Sequence, residues 1–78
     1  MTIPIVNLKA TGQNIKELMR ISNLSVKDVQ LAFGFEAPQA IYKWIHGRSV
    51  PTIDNLVILA AILDVRIDDI VVTDDVAS

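Results

Sequence analysis

Between residues 11 and 71 the apolar positions of this chain recur three and four residues apart, the spacing that lines one face of an α-helix. Ile15, Leu18, Met19 and Ser22 mark a first helix, with Thr11 as its N-cap and Asn23 at its end. Ser25 followed three residues on by Asp28 is a capping-box pattern, in which the hydroxyl takes an orphan N–H of the first turn and the carboxylate reaches back to the cap. Val26, Val29, Ala32 and Phe33 then predict the buried stripe of a second helix, closed by Gly34, a residue that adopts the left-handed conformation without a side-chain clash. Pro38 suits the first turn of a third helix, where its missing N–H costs nothing, and Gly47 stops that helix. Pro51 leads to Thr52, a cap for a fourth helix over Ile53 to Leu63, and Asp64-Val65 links it to a short fifth helix over Ile67 to Val71. Pro4 and the alternation around it make residues 1–10 an extended N-terminal arm, and residues 73–78 read as a flexible, frayed tail. The pattern predicts an all-α fold: five helices forming one domain over residues 11–72.

Two of these helices are unusual. Winding residues 38–46 at about 100° per residue gathers Ala40, Ile41, Trp44 and Ile45 on one side and Gln39, Tyr42, Lys43 and His46 on the other. A helix pinned by an Ile/Trp stripe, presenting an amide, a phenol, an ammonium and an imidazole, has the chemistry an element needs in a DNA major groove. The plainer reading is that any surface helix has a polar face. The fourth helix is apolar on more than one side: Leu56, Leu59, Ala60 and Leu63 form one stripe, and Val57, Ile58, Ala61 and Ile62 populate the opposite arc. Such a helix must be covered all round. It is either the central strut of the bundle or a strut with one stripe left as a homodimer seam.

Composition narrows the chemistry. Seventy-eight residues that are 51% hydrophobic can support one small domain without staples. There is no Cys and one His, so neither a disulfide framework nor a metal cluster is expected, and no cofactor is implied. No nucleophile and base are grouped as a catalytic site would require, so an enzyme is not expected. The N-terminal segment has no basic lead and its apolar run is broken by Pro4, unlike a secretory signal, and no stretch approaches the roughly 20 apolar residues of a membrane span. A cytoplasmic location with no membrane partner is the expectation. The net charge is −2, which alone weighs against a polyanionic partner. Its distribution reverses that: residues 1–51 carry six Lys or Arg against three Asp or Glu, whereas residues 52–78 carry Arg66 against six Asp. The candidate reading helix lies in the basic part, with the acidic part turned away from DNA or toward a partner.

Ile15-Lys16-Glu17-Leu18, Leu24-Ser25, Val29, Gly34-Phe35, Ile41, Gly47, Pro51, Leu56 and Leu63-Asp64-Val65 followed by Ile67-Asp68-Asp69-Ile70 together resemble the Cro/C1-type helix-turn-helix family, also described as xenobiotic-response-element or lambda-repressor-like. The segment from Gly34 to Gly47 is similar to a branch found in small regulators of Gram-positive bacteria. The resemblance covers residues 11–71 and implies a lambda-repressor-like five-helix bundle that reads double-stranded operator DNA, with the third helix in the major groove and the second across the backbone. Carried over by position, it implies base contacts from Pro38, Gln39, Tyr42 and Lys43. Gln39 can pair bidentately with adenine, and Lys43 can donate to guanine or to a phosphate. It likewise implies phosphate contacts from Lys27, His46, Arg48 and Ser49.

The chain departs from the family pattern in three places. Val26 stands where a phosphate-clamping Gln is common, so a contact there would use backbone N–H groups. The spacing from Gly34 to Gly47 is one residue longer than usual, and Gln30 replaces a small Ala inside the motif. Met19 and Ile45 stand where many members pair an Arg with a Glu; an apolar pair in exchange for an ionic one predicts that the two side chains touch. The function expected is that of a sequence-specific transcriptional regulator, acting as a repressor, and as a homodimer at least on DNA, because one small module buries little DNA surface. The alternative is a protein-interaction module of the same fold, antitoxin or antirepressor-like, with weak or no DNA binding. The acidic half and Val26 favour that alternative.

Overall fold

The computed structural model describes residues 2–77, so Met1 of the predicted arm and Ser78 of the predicted tail lie outside the described residues. The element order is β1 (Thr2–Val6), α1 (Leu8–Ile21), α2 (Val26–Phe33), α3 (Gln39–Ile45), α4 (Ile53–Leu63), α5 (Ile67–Ile70) and β2 (Thr73–Ala77). Ile15, Met19, Val29, Ile41, Trp44, Leu56, Leu59, Ala60, Leu63 and Ile70 make a single core to which all five helices contribute. Met19 is buried in that core and Ile45 packs against it, so the two apolar replacements face the same interior.

Helices α2 and α4 keep their expected bounds, whereas Pro38 stands at the N-cap of α3 rather than inside its first turn and the Thr52 hydroxyl, at the N-cap of α4, bonds Asp54 rather than a backbone N–H. In the capping box, the Ser25 hydroxyl accepts the Asp28 N–H at 3.1 Å and an Asp28 carboxylate oxygen accepts the Ser25 N–H at 2.9 Å. Gly34 takes φ +71° as the turn leaves α2. Helix α4 spans the predicted residues and ends on Asp64, itself left-handed at φ +56°. The α2 stripe differs from expectation: Ala32 is exposed and Gln30 is buried in its stead. The Gln30 amide donates to the Phe35 carbonyl at 3.2 Å, which satisfies a buried polar side chain and ties the end of α2 to the turn that follows.

The chain is not purely helical. Residues 2–6 and 73–77, predicted as part of an arm and a frayed tail, pair antiparallel with Ile3 opposite Val76 and Ile5 opposite Asp74. Helix α1 begins four residues earlier than an N-cap at Thr11 would have it, because the Asn7 side chain accepts the Ala10 N–H at 2.9 Å and no residue from 8 to 11 resists helix. Thr11 is instead buried within α1. Its hydroxyl accepts the Val72 N–H at 2.9 Å, while the Asn7 N–H donates to the Val72 carbonyl at 2.8 Å. The Asn14 amide donates to the Asp69 and Ile70 carbonyls, at 2.6 and 3.0 Å, closing the end of α5. One polar edge of α1 thus anchors the returning C-terminal segment.

Candidate nucleic-acid interface

Three aromatic rings hold α3 against α2. Phe33, Phe35 and Trp44 lie with centroids 5.0, 5.5 and 6.2 Å apart, the two contacts to Trp44 being edge-on. Pairs of this geometry contribute about 0.5–1.5 kcal/mol each beyond burial. Ile41 and Trp44 are buried, and Ala40 and Ile45 pack at the margin of the core, so the apolar side of α3 faces inward as its periodicity predicts.

The C-terminal end of α3 is set by close backbone contact with α1. A Cβ on Gly12 would collide with the Trp44 carbonyl oxygen and stand 2.9 Å from that of Ile45. At Gly47, a Cβ would stand 2.7 Å from Lys9 Cα. Gly47 also takes φ +72°, so two independent constraints require glycine there. The Gly47 N–H donates to the Trp44 carbonyl at 3.1 Å and the Arg48 N–H to the Lys43 carbonyl at 2.9 Å, the paired bonds of a Schellman motif. Backbone approach of this kind leaves α3 little room to roll on α1.

With its inner face fixed, α3 presents the opposite one. Gln39, Tyr42, Lys43, His46 and Arg48 line one open cleft of about 180 Å³. All five are exposed, and the Tyr42 and His46 rings stack at a centroid distance of 5.8 Å and an interplanar angle of 23°. The structure therefore gathers five of the eight predicted contact residues. Pro38 sits at the N-cap of α3, half-buried; Ser49 is half-buried in the loop after it; Lys27 is exposed in the first turn of α2. None of these three lines the cleft. A larger open cleft at the corner of α1 and α2 is lined by Arg20, Asn23, Leu24, Ser25 and Asp28. It is the weaker anion site, since Arg20 is bound by Glu17 at 2.5 Å and Asp28 adds a carboxylate.

The ion-pair inventory favours the α3 face. Among the described residues the pairs are Arg20–Glu17 and Arg66–Asp68, which leaves Lys27, Lys43 and Arg48 without a carboxylate partner there. Sequence reasoning passed over Lys9, whose backbone lies against Gly47, next to Arg48 in the chain. Lys9 is exposed and likewise makes no ion pair among the described residues. Nothing local in the sequence signals this neighbour; the close approach of α1 to the end of α3 creates it. No helix among the described residues is long and apolar enough to cross a membrane.

A bundle in which α2 and α3 are joined by a tight aromatic turn, with a polar, cation-bearing face on α3, defines a helix-turn-helix protein. The helix-turn-helix family model matches residues 15–70, and the chain belongs to this family, of Cro/C1 type, whose members are DNA-binding transcriptional regulators. No curated protein and no solved structure matches the chain.

Proposed function

We propose that this protein is a repressor that lays α3 into the major groove of an operator, with two copies on a twofold or inverted-repeat site. Gln39 reads adenine through its amide, Lys43 reads guanine or binds a phosphate, and Tyr42 contacts a base edge or thymine methyl beside Pro38 at the start of the helix. Lys27, His46, Arg48 and Ser49 hold the phosphates, and Lys9 joins them at the α1 end. Repression follows by occlusion of the promoter. The observation that carries this reading is the common cleft of Gln39, Tyr42, Lys43, His46 and Arg48 on a helix whose reverse side is buried.

Selection of bound duplexes from a random pool tests it. The expected result is an enriched inverted repeat whose affinity falls steeply with salt. The Q39A/K43A double variant should lose on the order of 10²-fold in affinity, at about 1–3 kcal/mol for each base contact removed. An R48A variant should weaken all sequences alike and lower the salt slope by about one. If folded protein enriches no motif, the chain belongs instead among interaction modules that retain the fold without reading DNA.

A further inference from the structure

We infer that α1 carries a second phosphate-binding row, Lys9, Gln13 and Lys16, which grips the DNA backbone beside the groove that α3 enters; this rests on the operator reading above. At about 100° per residue, these three and Arg20 fall within an arc of about 60° on α1, and all four are exposed. Gly12, which lies against the Trp44 and Ile45 carbonyls, borders that arc on one side. Thr11 and Asn14, which hold the C-terminal segment, lie on the far side of the helix. The row therefore runs next to α3 and is turned from the segment that leads to Asp74 and Asp75.

This row is not arranged to stabilise its own helix. Stabilising pairs set a carboxylate three or four residues from each cation. Within α1, Lys9 has Gly12 and Gln13 at those distances, and Lys16 has Gly12, Gln13, Met19 and Arg20. Lys16 and Arg20 are like charges one turn apart, which costs stability. Glu17 is the one acidic residue of α1, and it accepts two hydrogen bonds from Arg20. Lys9 and Lys16 are left with no carboxylate partner among the described residues.

Two open cations about 10 Å apart along a helix, with a neutral amide donor between them, match a line of charge rather than a single ion. The end of α3 places that line. Lys9 Cα packs on Gly47 and Arg48 follows in the chain, so the row continues the cationic edge of the α3 cleft onto α1. A duplex seated on α3 brings its sugar-phosphate strand to this edge. Because phosphates carry no sequence information, the row adds affinity without specificity. The outer side of α4 is also open, contrary to the expectation of a helix enclosed all round, with Ile53 77% and Val57 54% exposed. Asp54 stands among those apolar side chains, and their chemistry selects no partner.

The test compares the duplex enriched by selection with a scrambled duplex of equal length, over a range of salt. Alanine is the best helix former, so K9A/K16A should fold, which thermal melts check. Its affinity should fall by the same factor on both duplexes, on the order of 10-fold at about 0.1 M salt, and its salt slope should drop by about two. K9R/K16R should restore both quantities. R66A, which removes a cation paired with Asp68, should change neither. Unchanged affinity and slope in folded K9A/K16A overturn the row and leave the operator reading standing. An equal drop in R66A overturns it too, by assigning the effect to overall charge. So does a loss confined to the selected duplex, which would make the lysines base readers. A protein that prefers no sequence but loses two from its slope in K9A/K16A would keep the row and refute the operator reading. Absence of duplex binding at low salt overturns both.

Discussion

Helix α1 holds two neighbours by opposite means. On one side the end of α3 meets it backbone to backbone, through two glycines that admit no side chain: Gly12 under the Trp44 carbonyl and Gly47 against Lys9. On the other side the C-terminal segment is held by polar bonds from Asn7, Thr11 and Asn14, and it continues into a ribbon whose described side chains are exposed. A close-packed contact has no neighbouring arrangement of similar energy, because any shift either collides or opens a void. An exposed two-stranded ribbon keeps most of its polar groups within reach of water, and such ribbons are marginal alone. The helix proposed to read DNA has the first kind of support, and the chain ends have the second.

The sharpest way to break this contrast is G12A. The added methyl meets backbone, which cannot rotate aside, so the cost should reach about 3 kcal/mol. For a domain of this size that is a fall in Tm of about 12 °C or more. Operator affinity should fall as well, because α3 must move off α1. G34A is the control: Gly34 has φ +71° but open space where a Cβ would go, so that change should cost only the left-handed strain of about 1–2 kcal/mol. Equal losses in thermal melts of the two variants would mean that close packing on α1 does not dominate.

T11V tests the other side. Removing the hydroxyl leaves the Val72 N–H without its partner in a half-buried place, at a cost of about 1–3 kcal/mol. Amide exchange should show the effect confined to the ribbon: faster exchange at Ile3, Ile5 and Val76, with Ile15, Val29 and Leu59 unchanged. Uniform acceleration would show ribbon and bundle to be one cooperative unit and would erase the distinction.

The same contrast explains what the sequence made legible. Signals that act within a few residues were readable: the Ser25–Asp28 box, the left-handed Gly34 and Gly47, and the Ile53–Leu63 span of α4. So was the inward side of α3, because one helical period sorts Ile41 and Trp44 from Gln39, Tyr42 and Lys43. Features that depend on distant partners were not. The β2 segment Thr-Asp-Asp-Val-Ala is too short and acidic to announce a strand, and its partner lies at the other end of the chain. Asn7 and Thr11 are both competent caps, and the Val72 backbone that engages Thr11 is not a local feature. Gly12 carries no local sign of the backbone that α3 lays across it, and Lys9 joins the cationic edge for the same reason. In α2, periodicity alone favoured Ala32 over a polar Gln30, whose burial depends on the Phe35 carbonyl.

The smallest effect concerns the corner where α2 begins, the side of the motif away from both α1 contacts. The Ser25 N–H, and after it the Ser25 hydroxyl, stabilise the ionised Asp28 side chain and hold its carboxyl below the ordinary value. An acid with a depressed folded pKa binds protons more weakly folded than unfolded. Its contribution to stability is therefore complete above the unfolded value, near 3.8, and is lost as pH falls through the lower folded one. D28N should consequently melt below wild type at pH 7, and the gap should close on acidification below about pH 4. Glu17 and Asp54 are depressed in the same direction by Arg20 and by the Thr52 hydroxyl, but they are present in both proteins and cancel in the comparison. A gap that persists undiminished at pH 2.5 would assign the loss to amide geometry rather than charge. It would also remove the box as an electrostatic support of α2.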